Sequence, residues 1–579
     1  MRHACYVILL SFAVLAGCDK VPIVKNPGEL STSNQKNIAP VVTAGDDVTL
    51  QWPEDSVKLS AAATDDGLPA QSLTYMWQSV MGEVQFDNAA AKETIARFPE
   101  PGAYRVRLVV NDGALGGEDF VLINVLPARQ SSNTAPIVDA GVDQATELPF
   151  AAALEGSASD DGLPGASLNI NWSLVSGPDS VTFSNATAAQ TRVNFTAPGS
   201  YELQMRASDG ELTSTDSIVI TVSPAVYPAP DLSDADPDRG WLRVSPADVG
   251  MQASGLTVAQ AYAEQAGGTG LIARRGRLVH SWGNIDRRYD LKSTTKSIGA
   301  IALAMALDDA RAEVGDKAVT HLSTFGTPPN SNNPAQLQSV TLLQLATHTA
   351  GFEKTGGYGQ LISAPGSVWR YSDGGLNWLA DTLTTIYAQD LQQVFIHRVW
   401  PVLGINERDD IQWRASSSGM RPAPRADGLE HREFAAGMIG NVNALARVGL
   451  LYLRKGEWSD QRRVFSASFS DLVSTPPAEI AAASVAEPAD FPDANHRYGV
   501  LWWTNATGAL PNVPRDAYWA WGLGDSLIVV IPSLDLVIAR TGDIQPASPG
   551  RRIFGDDNWN ADYAVLAPFL DPIVSAVIQ

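Results

Sequence analysis

The sequence is poor in cysteine, in basic charge and in long apolar runs, and each shortage excludes something. Its only cysteines, Cys5 and Cys18, fall within the first 18 residues. Beyond them no thiol can form a disulfide, bind a metal or act as a nucleophile. No internal run reaches the ~20 apolar residues that a spanning helix needs. Lys and Arg number 41 against 63 Asp and Glu, a formal net charge of −22. Such an excess of acid repels a polyanion and excludes nucleic acid as a partner. What is present is apolar substance: 579 residues, 45% hydrophobic, with 15 Trp. That suits roughly three to five folded domains rather than a disordered chain.

The first 17 residues combine Arg2, an apolar run from Ala4 to Ala16 and small residues before Cys18, the pattern of a secretory signal. Leu15-Ala16-Gly17-Cys18 resembles the bacterial lipobox. That resemblance implies loss of residues 1–17 and acylation of Cys18. The product is a periplasmic lipoprotein of the cell envelope, anchored to the inner or outer membrane by its acyl chains. Asp19 resembles an inner-membrane retention signal in some bacteria. A plain signal peptide is the other reading. Residues 18–38, rich in Asn, Ser, Pro and Lys, read as a flexible tether.

Two related segments follow. Asp65-Asp66-Gly67-Leu68-Pro69, Trp77, Pro101-Gly102-Ala103-Tyr104 and Asn111-Asp112-Gly113 recur as Asp160-Asp161-Gly162-Leu163-Pro164, Trp172, Pro198-Gly199-Ser200-Tyr201 and Ser208-Asp209-Gly210, at offsets of 95 to 97 residues. Runs with period-two alternation, such as Tyr104 to Val110, are bounded by Pro-Gly and Asp-Gly turns, which predicts a β-sandwich in each copy. The copies, 39–127 and 134–223, resemble polycystic-kidney-disease (PKD)-type immunoglobulin-like modules. The resemblance implies spacing or adhesion, with a cell-envelope glycan or protein as partner. The acidic pairs Asp65-Asp66 and Asp160-Asp161 have two readings: carboxylate ligands of a structural Ca²⁺, or solvated turn residues.

Residues 224–240, with Pro224, Pro228, Pro230, Pro237 and several Asp, read as a stiff acidic linker. From 241 to 579 the texture changes. Helical periodicity at Val258–Ala266, Ile298–Leu307, Leu376–Thr385 and Leu445–Leu453 mixes with strand-like runs at Gly270–Arg274, Leu278–Trp282, Ser526–Ile531 and Leu536–Arg540. This mixture predicts one α/β or α+β domain with a core deep enough for a cleft.

Ser293-Thr294-Thr295-Lys296 stands where a polar stretch meets an apolar helical run. As an N-cap, Ser293 would accept a backbone N–H. As a nucleophile, its hydroxyl would lie in the positive field of the helix N-terminus. Three residues on, Lys296 projects from the same face and can reach the Ser oxygen, and burial can make such a Lys an activator. The four-residue pattern is weak alone, since Ser33-Asn34-Gln35-Lys36 also fits it.

In context, Tyr289 to Ser297 resembles the first motif of the serine β-lactamase and penicillin-binding-protein superfamily. The likeness is greatest to its branch of β-lactamase-related esterases and 6-aminohexanoate-oligomer hydrolases. Further landmarks keep that family's order: Thr341 to Phe352 for its "LLTHTSG" segment, Trp369-Arg370-Tyr371-Ser372-Asp373 for its Tyr-x-Asn region, Ala435-Ala436-Gly437 ahead of a later helix, and Tyr498 to Trp503 before the last strands. The resemblance spans nearly all of 241–579 and implies an antiparallel sheet flanked by helices. It makes Ser293 the nucleophile, Lys296 its activator and Tyr371 the general base and acid, acting as a phenolate held by an ammonium. Tyr371 as a core aromatic and Lys296 as a surface cation are the bland alternatives.

Two departures bear on the substrate. Asp373 stands where the family usually has Asn, which favours a charged Lys296. The third motif becomes Trp519-Ala520-Trp521-Gly522-Leu523. Trp521 there offers an apolar wall in place of a cation, and the Leu523 N–H beside Gly522 pairs with the Ser293 N–H as an oxyanion hole. A small ester or amide is therefore expected as substrate before a β-lactam or D-Ala-D-Ala peptide, with no metal or organic cofactor. The competing reading is a catalytically inactive envelope-binding lipoprotein. Gly524-Asp525-Ser526-Leu527 spells the GDSL esterase signature, but Ser526 leads into a strand at the far end of the domain. His348 reads as a structural hydrogen-bonding residue.

Overall fold

The computed structural model describes residues 36–128, 132–165, 167–230, 236–354, 357–414, 427–459, 462–524, 526–542 and 563–578. The signal segment, Cys18, most of the tether and Asp525 lie outside the described residues.

Each N-terminal copy is a two-sheet sandwich. In the first, a four-stranded sheet runs in the order Val48–Gln51, Gly116–Leu126, Gly102–Asn111, Thr74–Met81. A three-stranded sheet of Ser56–Ser60, Glu93–Arg97 and Gln85–Phe86 supplies the other side of the core. The second copy repeats both strand orders. Alternation has the expected result: Tyr104, Val106, Leu108 and Val110 point into the core while the residues between them do not. Trp77 and Trp172 lie at the two centres, each donating its indole N–H to a loop carbonyl at 3.1 Å (Ala91 and Ala188), which satisfies the polar atom that burial would otherwise leave unpaired.

The C-terminal unit is built on a six-stranded antiparallel sheet in the order Arg277–Trp282, Thr269–Arg274, Leu536–Thr541, Ser526–Ile531, Tyr518–Gly522, Trp503–Thr504. Helices Ala253–Ala263 and Ala567–Ser575 cover one face, and Thr294–Asp308 and Val442–Leu453 the other. With both faces covered, Ser526–Ile531 and Leu536–Thr541 are buried at every position, which is why they read as unbroken apolar runs. Thr294–Asp308 is buried from Thr294 to Ala306 and is made largely of Ala, Gly, Ser and Thr. Those small side chains let it lie between the sheet and helix Asp373–Tyr387. Among the described residues no helix is long and apolar enough to cross a membrane.

The linker behaves differently from a free spacer where it is described. Arg447, fully buried in Val442–Leu453, donates to the carbonyls of Ala229 (2.7 Å), Arg239 (2.6 Å) and Leu403 (2.7 Å). Arg239 in turn pairs with buried Asp410 at 3.0 Å. Both described ends of the linker are thus pinned to the C-terminal unit. The second sandwich also touches that unit, since Arg277 grips Glu147 with two hydrogen bonds (2.9 and 2.6 Å) and Arg275 lies over the Phe150 ring.

Candidate active site

Ser293 immediately precedes helix Thr294–Asp308 and follows Lys292, whose φ of 47° is left-handed. That turn costs a non-glycine residue free energy and sets the serine at the helix N-terminus. The capping role is not taken: the Ser293 side chain makes no cap hydrogen bond. Its Oγ instead accepts from Lys296 Nζ at 3.0 Å. Ser293 is only half-buried, whereas Lys296 is 2% exposed and Tyr371 4%.

Lys296 is held by three acceptors. Besides Ser293 Oγ, it donates to the Ala435 carbonyl at 2.6 Å and pairs with Asp373 Oδ1 at 2.8 Å. The ammonium also lies 4.8 Å from the centre of the Tyr371 ring. Burial pulls the Lys296 ammonium below its ordinary value, while the Asp373 and Glu433 carboxylates oppose that pull. Burial pushes the Tyr371 phenol well above its ordinary value; Asp373 adds to this, and a hydrogen bond from Ser293 works against it. Burial and the Asp373 charge thus favour the protonated phenol over the phenolate.

Tyr371 is fixed from both sides by His348. The His348 carbonyl accepts from the Arg370 N–H at 2.8 Å, and Nδ1 accepts from the Ser372 N–H at 3.0 Å. Its ring also packs on Tyr371 with centroids 4.5 Å apart. Burial and the Lys296 charge hold His348 well below its ordinary value, so it is uncharged. The rings of Tyr371, Phe491 and Trp503 lie nearly parallel, with each pair of centroids 5.4 to 6.4 Å apart. The reading of His348 as a structural hydrogen-bonding residue fits these contacts, and they add that what it positions is Tyr371.

Gly522 ends strand Tyr518–Gly522 against the nucleophile turn. A Cβ there would meet the Leu291 carbonyl at 2.2 Å and Thr294 N at 3.0 Å, so only glycine fits. Neither Ser293 N–H nor Leu523 N–H donates to another described residue. Trp521 lies on the opposite face of the strand with Trp519, 2% exposed, so it shows almost no surface to a bound molecule. Strand alternation places it in the second core, which Tyr371 also joins. Ser526 is fully buried and bonded to Thr541 at 2.9 Å.

One contributor escaped the sequence reading. The carbonyl of Ala435 has no sequence signature, since every residue offers one. The stretch Ala435-Ala436-Gly437 stands ahead of helix Val442–Leu453, with the short strand Met438–Gly440 between them. Among the described residues no group of three His, Cys, Asp or Glu is placed to hold a metal.

The beta-lactamase family model matches residues 257–550, and a PKD domain family model matches 44–125 and 140–222. A curated mouse relative, dyslexia-associated protein KIAA0319-like protein (Mus musculus), is 26% identical over 208 residues, 34% of this chain and 19% of its own. The chain thus spans about a fifth of that relative's length. Among solved structures, a putative 6-aminohexanoate-dimer hydrolase from Bacillus anthracis is 18% identical, covering 53% of this chain and 78% of its own, with a TM-score of 0.40. A putative beta-lactamase from Bacteroides dorei is 12% identical, covering 56% and 99%, with a TM-score of 0.44.

Proposed function

The chain belongs to the beta-lactamase family of serine hydrolases, and we propose that its C-terminal unit cleaves a small ester or amide through an acyl-enzyme at Ser293. The observation that carries this reading is the 3.0 Å contact between Lys296 Nζ and a half-exposed Ser293 hydroxyl at a helix N-terminus. Ser293 Oγ attacks the substrate carbonyl carbon. The oxyanion that forms takes hydrogen bonds from the Ser293 and Leu523 N–H groups.

The serine proton passes into the Lys296–Tyr371 pair. Burial drives both groups toward their neutral forms, so loss of one proton from the pair leaves an amine within reach of Ser293. Tyr371 then hands a proton to the departing alkoxide or amine. Water enters, gives its proton back through the same pair, and releases the acid while restoring Ser293. The cycle so written needs no cofactor.

An ester or simple amide is favoured over a carboxylate-bearing β-lactam because strand Tyr518–Gly522 carries no Lys, Arg or His. Turnover of p-nitrophenyl butyrate beside nitrocefin tests the reading. The ester should be cleaved, and Ser293→Ala should remove turnover by about three orders of magnitude. Undiminished turnover in that variant would refute it. We further propose that Cys18 carries the lipid anchor and holds the protein in the cell envelope. Metabolic labelling with radioactive palmitate should mark the wild type and not Cys18→Ala.

A further inference from the structure

Strand Leu536–Thr541 begins as an apolar run, Leu536-Val537-Ile538-Ala539, and ends on Arg540-Thr541, both fully buried. A guanidinium in such a place is costly unless its N–H groups are met. Alternation along the strand sends Arg540 to one face of the sheet and Thr541 to the other. Both nevertheless serve the connection that leaves strand Tyr518–Gly522 through Leu523 and Gly524. Arg540 Nη1 donates to the Gly524 carbonyl at 3.2 Å, and Nη2 to the Gly267 carbonyl at 2.7 Å. Thr541 Oγ1 lies 2.9 Å from Ser526 Oγ, and the Ser526 carbonyl accepts from the Thr294 hydroxyl at 2.7 Å.

One arm of the connection is thus fastened to Thr294, the residue beside the nucleophile. Ser526, which the GDSL spelling singled out, acts there as a bracket. The other arm has no such bracket within the sheet. The ladder between the two strands closes at the pair Gly522–Ser526, so Leu523 and Gly524 lie beyond it, and Gly524 takes a left-handed φ of 81°. Among the described residues, the hydrogen bond that reaches these two from outside the ladder is the one from Arg540. A guanidinium suits this task because its N–H groups form a rigid fork that can grip two carbonyls at once. Arg274 supplies a contrast. It too is a buried arginine on backbone carbonyls, those of Val249 (2.6 Å), Gly250 (2.7 Å) and Leu534 (3.0 Å). Arg274 pairs with Leu536, however, at the end of the sheet opposite the Thr269–Thr541 pair.

We propose that Arg540 is a positioning residue of the oxyanion hole: by holding the Gly524 carbonyl it aims the Leu523 N–H at the oxygen that becomes charged. The inference rests on the acyl-enzyme reading of Ser293. Donors of a hole act only when they are fixed in advance at hydrogen-bond distance from the developing oxyanion. Without the fork, Leu523 and Gly524 are left to the ends of the ladder, and the N–H turns away from Ser293. Arg540 touches neither substrate nor nucleophile in this account. Its effect falls on the transition state and leaves ground-state binding alone.

The test compares p-nitrophenyl butyrate with p-nitrophenyl thionobutyrate, in which sulfur replaces the carbonyl oxygen. Sulfur is a weak hydrogen-bond acceptor, so the thionoester gains little from the hole. The ratio of kcat/KM for the two esters therefore reports how well the donors are aimed. Arg540→Met should lower kcat on the oxygen ester about 10- to 100-fold, as small misplacements do, with KM within about twofold of wild type. The ester-to-thionoester ratio should fall with it. Arg540→Lys keeps the charge but cannot span both carbonyls, and should lie between the two. Arg274→Met should lower the unfolding temperature and leave kcat and the ratio unchanged, which separates aim from general stability. Wild-type kcat in a soluble Arg540 variant, a lower kcat at the wild-type ratio, or an equal fall of the ratio in Arg274→Met would overturn the proposal and leave the acyl-enzyme standing. Turnover that persists in Ser293→Ala would instead remove the reading on which it rests.

Discussion

Lys296 meets a hydroxyl, a carbonyl and a carboxylate at once, and the carboxylate decides where its proton sits. Asp373 raises the affinity of both Lys296 and Tyr371 for a proton. Removing that charge lowers both. The pair must lose a proton before it can take one from Ser293, so the acidic limb of kcat/KM should move to lower pH in Asp373→Asn. A shift to higher pH would contradict this placement of the charge. Tyr371→Phe should lower kcat by about 10²- to 10⁴-fold, the usual range for general acid–base groups, with KM little changed. His348→Ala should reproduce part of that loss, because it frees the Arg370 and Ser372 amides that fix Tyr371. Steady-state kinetics of the three variants separates these roles. At this scale the Ser293–Lys296 spacing was legible from the residues, while Tyr371 and Asp373 were legible only through the resemblance. The Ala435 carbonyl and the left-handed turn at Lys292 were invisible, because a backbone atom and a dihedral angle leave no mark on composition.

The elements that carry the site meet through small residues. Gly522 seats strand Tyr518–Gly522 on the nucleophile turn, and a Cβ at Gly299 would lie 2.8 Å from the Phe434 ring. Gly522→Ala should move that turn, lowering kcat/KM at least tenfold, an amount typical of small misplacements of a catalytic group. Far-UV circular dichroism should stay unchanged. A second junction is electrostatic. His431 lies between Asp381, on helix Asp373–Tyr387, and Asp427, at 2.8 and 2.9 Å. Burial works against its protonation, but the two carboxylates prevail and raise its pKa. The stabilisation is then fully present below about 6.5, the unfolded value, and is lost as pH rises through the higher folded value. The difference in unfolding temperature between wild type and His431→Gln should shrink from pH 6 to pH 9. Most of these elements were readable as periodicity. The face that Trp521 takes was not readable, because only the register of its strand sets it.

Across the whole molecule, Arg447 ties three stretches of chain together through the carbonyls of Ala229, Arg239 and Leu403. Arg447→Ala leaves those acceptors buried and unpaired, each worth about 1–3 kcal/mol. The C-terminal unit should unfold several degrees lower, and limited proteolysis should cut within 224–240. The domain order was legible from the duplication, whereas the anchoring of the linker was not, since its Pro and Asp content reads only as a stiff acidic connection. The paired sandwiches precede the hydrolase unit in one chain, and the anchor proposed at Cys18 would display that unit at a surface. The proposed hydrolysis rests on Ser293 becoming acylated. Peptide mapping by mass spectrometry after reaction with a fluorophosphonate tests it most directly. The account predicts a single adduct on the peptide bearing Ser293, absent from Ser293→Ala; an adduct on any other residue, or undiminished labelling of that variant, would contradict it.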